Sequence, residues 1–293
     1  MVFMKIAALV ILFHPHEDVI KNIHSFIDEV DKLYIVDNSE KVNVVIQKQL
    51  MSRGFNIEYI ANQHNLGIAT ALNQGASAAL RDGYDWLLTM DQDSYFYDRF
   101  FFESVRNFQN DGKTAVFAPM YIQTVPYTKQ DSSWKIAEKA ITSGSIVNLN
   151  VWKETGGYQD DLFIDEVDIE YCLKIRKKGY QILLFENIFL IHQVGVRFKT
   201  RSPFSGKEFE RSEHLPFRYY YISRNLLYVS FKYLLHFPGL TVKRLLYFPR
   251  MIYGVIVYEN KKLSKLHYIC KGFLHFIINK RGQLPQQLKN GSQ

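Results

Sequence analysis

The sequence predicts an α/β protein with a mostly parallel central sheet flanked by helices, followed by a C-terminal basic amphipathic helical region. Three observations predict it. Short apolar runs, often β-branched, alternate with segments of helical period over the first two hundred residues. Two of these runs end in carboxylates, at Asp37 and Asp91, where an open α/β sheet places its ligand crevice. From about residue 205 the texture changes to long Leu-, Ile-, Tyr- and Phe-rich segments studded with Lys and Arg.

The opening run, 5–13, meets His14-Pro15-His16-Glu17-Asp18 directly and has no small-residue cleavage site, so it is a first buried strand and not a leader sequence. Val19, Ile20, Ile23, Phe26, Ile27 and Val30 then fall at helical spacing. Strands are expected at 32–37 and 56–61, then a helix carrying Ala69, Leu72, Ala76 and Leu80. Strands at 85–90 and 114–119 follow. Two more, 141–149 and 181–186, bracket a helix that begins near Asp165 and stops at Gly179. Segments 216–237, 242–258 and 264–279 read as amphipathic helices, broken by Pro238 and Pro249. The chain thus divides into a domain over 1–205 and a helical region over 206–293. No stretch reaches the roughly 18 to 20 apolar residues that a membrane-spanning helix needs.

With 47% hydrophobic and 15% aromatic residues, the 293-residue chain has ample material for a core. Its two cysteines, Cys172 and Cys270, lack metal-type spacing, which excludes a disulfide framework and favours a reducing compartment. The net charge of +7 is unevenly spread. Residues 211–293 hold 14 Lys plus Arg against 2 acids, a balance of +12, while 1–210 carry −5. A basic tail on an acidic body fits a polyanionic partner. The helices can pack as a subdomain on the sheet, or form a platform that meets anionic lipid headgroups with its cations and the interface with its aromatic rings. No recognised nucleic-acid module accompanies the charge, so nucleic acid is not the expected partner.

Several familiar motifs are absent. There is no GxGxxG; Gly112-Lys113-Thr114 lacks the upstream glycine of a phosphate loop, with Asn107 in its place. Asp91-Gln92-Asp93 does not follow the first strand, and Tyr95 stands where an aspartyl phosphatase has Thr or Val. What remains is an ordered series. Alternate residues of an extended segment point the same way, so Asp91 and Asp93 can face one site, and their repulsion is relieved by a divalent cation. Asp37 ends the second strand, able to accept from a base imide N–H or to cap a helix. Small residues between Asn65 and Gly75, Gly67 among them, permit close approach of a diphosphate or tight helix packing. The run Phe163-Ile164-Asp165-Glu166-Val167-Asp168-Ile169-Glu170 interleaves four acids with apolar residues, so at least one acid faces inward. An inward carboxylate suits a general base. His192 follows an apolar strand and can complete the coordination of an ion such as Mn²⁺.

Taken in order, the series resembles the family 2 glycosyltransferases of the GT-A fold. It is most similar to the rhamnosyltransferase-like bacterial branch that builds O-antigens and capsules. The matching stretches are Phe13-His14-Pro15, Val36-Asp37-Asn38-Ser39, Asn65 to Gly75, Asp91-Gln92-Asp93-Ser94, Thr142-Ser143-Gly144-Ser145, Phe163-Ile164-Asp165 with Val167-Asp168, and His192 with Gly195. Arg218-Tyr219-Tyr220, Arg224-Asn225, Lys271-Gly272 and Lys280-Arg281-Gly282 extend the likeness to nearly the whole chain.

The resemblance implies a metal-dependent, inverting transfer of L-rhamnose from dTDP-L-rhamnose to a lipid-linked saccharide, on the cytoplasmic face of the cell membrane. It implies Asp168 as catalytic base, with Asp93 and His192 as ligands of Mg²⁺ or Mn²⁺. Asp37, Asn65, Gly67, Asp91 and Arg224 would bind the donor. Two departures bear on this: His14 stands where many members have Asn, and Val167-Asp168 replaces the commoner Glu-Asp, leaving Asp165 as a rival base. A UDP-sugar donor (galactofuranose, glucose or galactose) fits the same pattern. A noncatalytic nucleotide- or glycan-binding protein is the alternative from another class.

Overall fold

The structure, a computed structural model, describes residues 4–109, 112–122, 131–192, 196–201, 203 and 206–284. The chain forms two compact units, one of residues 1–160 and 167–193, the other of residues 161–166 and 194–293. Gly195 lies outside the described residues.

The first unit is built on a nine-stranded sheet with the order β3 (Ile57–Ala61), β2 (Lys32–Asp37), β1 (Ile6–Leu12), β4 (Trp86–Asp91), β8 (Ser145–Asn148), β6 (Thr114–Ile122), β9 (Gln181–His192), β5 (Ser94–Phe96), and β7 (Trp134–Ile136) paired on β9. Its elements are β1 (Ile6–Leu12), α1 (Asp18–His24), β2 (Lys32–Asp37), α2 (Val44–Met51), β3 (Ile57–Ala61), α3 (Ile68–Arg81), β4 (Trp86–Asp91) and β5 (Ser94–Phe96). They continue with α4 (Phe100–Asn107), β6 (Thr114–Ile122), β7 (Trp134–Ile136), β8 (Ser145–Asn148), α5 (Leu149–Thr155), α6 (Val167–Lys177) and β9 (Gln181–His192). β1 is buried along its whole length. That is the pattern of a strand covered on both faces, and it explains why the run is continuously apolar.

β3, β2, β1 and β4 are parallel neighbours, as strand-helix-strand connections require. Past β4 the sheet becomes mixed: β8 runs antiparallel to both β4 and β6, while β6 and β9 are parallel. The structure also corrects several boundaries, and Pro249 lies inside a helix instead of breaking one. The expected strand 141–149 is extended only over Ser145–Asn148, since Gly144 turns the chain with φ 80°. The expected 181–186 strand runs on to His192. The helix foreseen from Asp165 begins at Val167, because Asp165 and Glu166 hold φ of 61° and 68°, incompatible with a right-handed helix. The three-residue strands β5 and β7 are too short to leave a periodic trace.

α3 shows what the small residues of the Asn65–Gly75 run do. Ala69, Ala71, Gly75, Ala76, Ala78 and Ala79 are buried, and a Cβ on Gly75 would lie 2.5 Å from both Leu9 methyls of β1. Along this face the small side chains serve tight helix-on-sheet packing.

The second unit contains the hairpin β10 (Val196–Arg201) with β11 (Glu208–Glu213), and the helices α7 (Arg218–Tyr233), α8 (Pro238–Tyr258) and α9 (Lys262–Ile277). Its core gathers Phe163, Tyr219, Tyr220, Tyr221, Met251, Val255, Tyr268, Ile269 and Leu284. Gly272 lets α9 approach α7, where an added Cβ would meet the Tyr220 carbonyl oxygen at 2.6 Å. No helix among the described residues is long and apolar enough to cross a membrane.

Candidate active site

Sheet register assembles the site. Leu12 lies opposite Asp37, and Ile11 opposite Asp91, so the carboxyl ends of β1, β2 and β4 form one edge. The first of its carboxylates is tightly held. Asp37 is fully buried; its Oδ1 accepts from the Ser39 N–H at 2.8 Å and its Oδ2 from the Tyr59 hydroxyl at 2.6 Å. Burial and the Asp37 charge together push the Tyr59 phenol upward in pKa, so it remains a donor. Beside it, Asn38 donates to the Gly67 carbonyl at 3.1 Å, and Asn62 bridges Asn38 and Gln74 at 2.8 Å each. The Asn65 side chain accepts from the Gly67 N–H at 2.9 Å, and Gly67 itself sits at φ 88°, ψ 164°, a backbone that favours glycine. Asn65 and Gly67 thus shape the loop that opens α3.

Gln92, between the two acids, has a role the motif alone does not reveal. Its amide grips the backbone of Phe13 from both sides, accepting from the N–H at 2.9 Å and donating to the carbonyl at 3.1 Å. Asn22 of α1 donates to the Gln92 carbonyl at 2.8 Å. The turn after β4 is thereby tied to the loop after β1.

Asp91, Asp93 and His192 come together with ligand atoms within 4.8 Å of one another. Antiparallel pairing of β5 with β9 sets Ser94 opposite His192 and so brings a residue 99 positions away to the acidic pair. The imidazole Nδ1 lies 3.4 Å from an Asp93 oxygen and is hydrogen-bonded to the Ser94 hydroxyl. Burial alone would lower the His192 pKa, but the hydrogen bond to Asp93 and the charges of Asp91 and Asp93 outweigh it and raise it. Two carboxylate oxygens and one imidazole nitrogen are a donor set that suits Mg²⁺ or Mn²⁺. Asp93 is half exposed and His192 mostly covered, so the group is both anchored and open.

Asp168 is the second residue of α6, where its Oδ1 accepts the Ile169 N–H at 2.8 Å. It lines a cavity with Thr142, Ser145, Tyr158, Tyr171 and Cys172. Thr142 and Ser145 flank Ser143, whose hydroxyl accepts the Asp91 N–H at 3.0 Å, so one loop borders both carboxylates. Burial pushes the Cys172 thiol up to about 12, which makes it an apolar wall and not a nucleophile. The acidic run around Asp168 resolves into separate roles. Asp165 is held by Arg218 at 3.0 Å, Glu166 by Arg244, and fully buried Glu170 by Lys174 at 3.1 Å.

Arg224, expected at the donor, has partners within its own unit. Arg224 is only 2% exposed, and its guanidinium donates inward to the carbonyls of Gly282 (2.7 Å), Asp161 and Leu162 (3.2 Å each). Its other N–H groups donate to the Asn225 Oδ1 at 2.8 Å and the Tyr220 hydroxyl at 3.1 Å, so all five donors are engaged. Sequence reasoning also missed Ser94 and Gln92. Adjacency to the acidic pair was the only available sign, because their partners are distant in sequence.

Comparison with known proteins agrees with this arrangement. The family model described as Glycosyl transferase family 2 matches residues 10–166, over half of the chain. The chain is 24% identical over 298 residues to dTDP-rhamnosyl transferase RfbF of Shigella flexneri, covering 94% of this chain and 96% of that protein. Among solved structures, GalNAc-T7 with UDP, GalNAc and Mn²⁺ superposes with a TM-score of 0.62 at 13% identity, over 94% of this chain and 56% of that one. The Pyrobaculum calidifontis mannosyltransferase PcManGT, in complex with GDP-Man and Mn²⁺, gives 0.57 at 11% identity, over 94% and 88%. The S. aureus TarS 1–349 structure gives 0.58 at 13% identity, over 94% and 81%. These structural likenesses show the GT-A fold. With a strand-edge acidic pair completed by a histidine, that fold and the family match lead to one assignment: the chain belongs to glycosyl transferase family 2.

Proposed function

We propose that this glycosyltransferase moves L-rhamnose from dTDP-L-rhamnose to a lipid-linked saccharide, inverting the anomeric centre, as a step in cell-surface polysaccharide synthesis. The observation that carries the reading is the Asp91–Asp93–His192 group at the carboxyl edge of the sheet. Similarity to a dTDP-rhamnosyl transferase along nearly the full chain supports the choice of donor.

In this reading Asp37 accepts from the N3–H of the thymine base, and the Asn65–Gly67 loop borders the nucleotide. Asp91 meets the ribose. Asp93 and His192, with Asp91 beside them, would hold a divalent cation, which would supply Lewis-acid stabilisation to the leaving diphosphate. Asp168 removes the proton from the acceptor hydroxyl as its oxygen attacks the anomeric carbon opposite the diphosphate. One displacement inverts the centre, with no sugar-enzyme bond. Asp168 is preferred over Asp165 because it is the position the resemblance assigns to the base; Asp165 is paired with Arg218.

The acceptor's lipid is consistent with the surface of α8 and α9. Leu246, Tyr247, Ile256, Leu263, Leu274 and Ile277 are exposed there beside Lys243, Arg250 and Lys262. Both acids of 211–293 are drawn inward, Glu259 to Arg211, Tyr219 and Lys265, and Glu213 to Lys265. Exposed apolar groups interleaved with cations on α8 and α9 suit the anionic inner face of a cell membrane, approached from the cytoplasm.

A thermal-shift panel of dTDP-L-rhamnose, UDP-galactofuranose, UDP-glucose and UDP-galactose, with and without Mn²⁺, tests the donor. A ligand at about 100 times its dissociation constant adds roughly 2.7 kcal/mol of apparent stability. The dTDP-sugar should stabilise most, and only with the ion. Preference for a UDP-sugar replaces the donor; no response to any nucleotide with metal overturns the reading.

A further inference from the structure

The Arg224-Asn225 pair belongs to the family-like series, and its hydrogen bonds give it a structural setting of its own. Besides Gly282 and Tyr220, its partners lie in residues 161–166, the short segment that leads into α6. Three of the seven non-glycine residues with left-handed φ among the described residues fall there: Phe163 (69°), Asp165 (61°) and Glu166 (68°). A backbone alternating in this way cannot hydrogen-bond to itself as a helix or strand does, and it persists only where its surroundings over-determine it.

α7 supplies that determination. The Asn225 amide, 1% exposed, donates to the carbonyls of Leu162 (2.9 Å), Ile164 (2.8 Å) and Asp165 (3.1 Å). Arg224 donates to those of Asp161 and Leu162, and its Nε donates to the Asn225 Oδ1 at 2.8 Å, which fixes the orientation of that amide. Four of the segment's carbonyls therefore end on two adjacent side chains. Other contacts reinforce the segment: the Gly282 N–H donates to the Asp161 carbonyl at 2.8 Å, Arg218 holds the side chain of Asp165, Arg244 that of Glu166, Arg281 that of Asp161 at 3.1 Å, and Tyr221 stacks on Phe163 at 5.1 Å.

We propose that Asn225, oriented by Arg224, is a positioning residue: it holds 161–166 in the left-handed backbone that forces α6 to begin at Val167, and so fixes the place of Asp168 on that helix. The inference rests on Asp168 being the base of the proposed function. Two peptide bonds separate the strained Glu166 from Asp168, so a relaxed segment would let the first turn of α6 re-form elsewhere. A displacement near 1 Å is enough to slow a proton transfer severely.

The test uses the full chain with Asn225→Ala and three readouts: hydrogen–deuterium exchange of 163–170, dTDP·Mn²⁺ affinity by calorimetry, and release of dTDP by slow hydrolysis of dTDP-L-rhamnose. Exchange should quicken at least tenfold and kcat fall at least tenfold, with KM and dTDP affinity within twofold. Adding Glu166→Gly, which adopts left-handed φ freely, should recover part of kcat. Asn225→Ser, expected to show a smaller form of the same split, serves if Asn225→Ala does not accumulate. Unchanged exchange and kcat overturn the proposal, and so does a joint fall of kcat and dTDP affinity, which marks general destabilisation. If the unaltered chain releases no dTDP, the donor assignment fails, while the exchange measurement, needing no substrate, still decides the clamp.

Discussion

Ser94 and His192 show how much one hydroxyl can control at this site. The Ser94 hydroxyl is bonded to the His192 Nδ1, so it orients the ring that faces Asp93. Partners of this kind commonly cost 10- to 100-fold in metal affinity when removed. Ser94→Ala should accordingly weaken Mn²⁺ binding by about tenfold in calorimetry, and Asp93→Ala should abolish the Mn²⁺-dependent part of nucleotide binding. The proton is a competitor at the same ring. Because Asp93 and Asp91 raise the His192 pKa against the opposing effect of burial, the ion-free protein holds imidazolium across a wider range than free histidine. A raised pKa contributes stability below the unfolded value, and that contribution is lost as pH rises through the folded one. Metal affinity runs the other way, since the ion needs the neutral ring. Melting of the ion-free protein should fall with pH through that window and Mn²⁺ affinity should climb; His192→Gln should flatten both. Equal Mn²⁺ affinity on either side of the window would remove His192 from the ligand set.

At the scale of elements, two glycines carry separate packings. Gly75→Ala drives a methyl into Leu9, where α3 crosses β1. Overpacking of this kind costs about 1–3 kcal/mol, measurable by urea unfolding. Gly272→Ala meets the Tyr220 carbonyl instead, and backbone cannot rotate away as a leucine can, so its cost should be the larger. The segment before α6 adds a second kind of stored energy: left-handed non-glycine residues cost of order 1–3 kcal/mol each. Those residues were readable only as an acidic, aromatic-laced run. Their φ values follow from side chains of α7 some sixty positions later, which no local pattern encodes. The same reason explains the misplaced start of α6.

For the whole molecule, the distribution of charge is the testable property. Residues 211–293 carry +12, and their two acids are spent on buried or partly buried ion pairs, leaving cations and apolar groups outward on α8 and α9. Lys243→Glu with Arg250→Glu and Lys262→Glu should reduce flotation with phosphatidylglycerol vesicles by tenfold or more and leave phosphatidylcholine vesicles unaffected. Undiminished flotation would sink the platform. Substitution is the better experiment than deletion, because removing the C-terminal helices would also strip the carbonyl partners of 161–166.

By itself the sequence determined the alternation of strands and helices, the basic helical end, and the identity of the acids at strand termini. Each of these is written in local period or composition: continuous apolar runs for β1, β2 and β4, and a change of texture near 205. Asp37 and Asp91 could be placed at the sheet edge because each ends a continuous apolar run. Tertiary structure alone decided what depends on strand order and on distant partners. Pairing of β5 with β9 delivered His192 to Asp93, and the antiparallel insertion of β8 brought Ser143 to Asp91. It also turned Arg224 inward, since buried backbone carbonyls demand donors and a guanidinium supplies several at once.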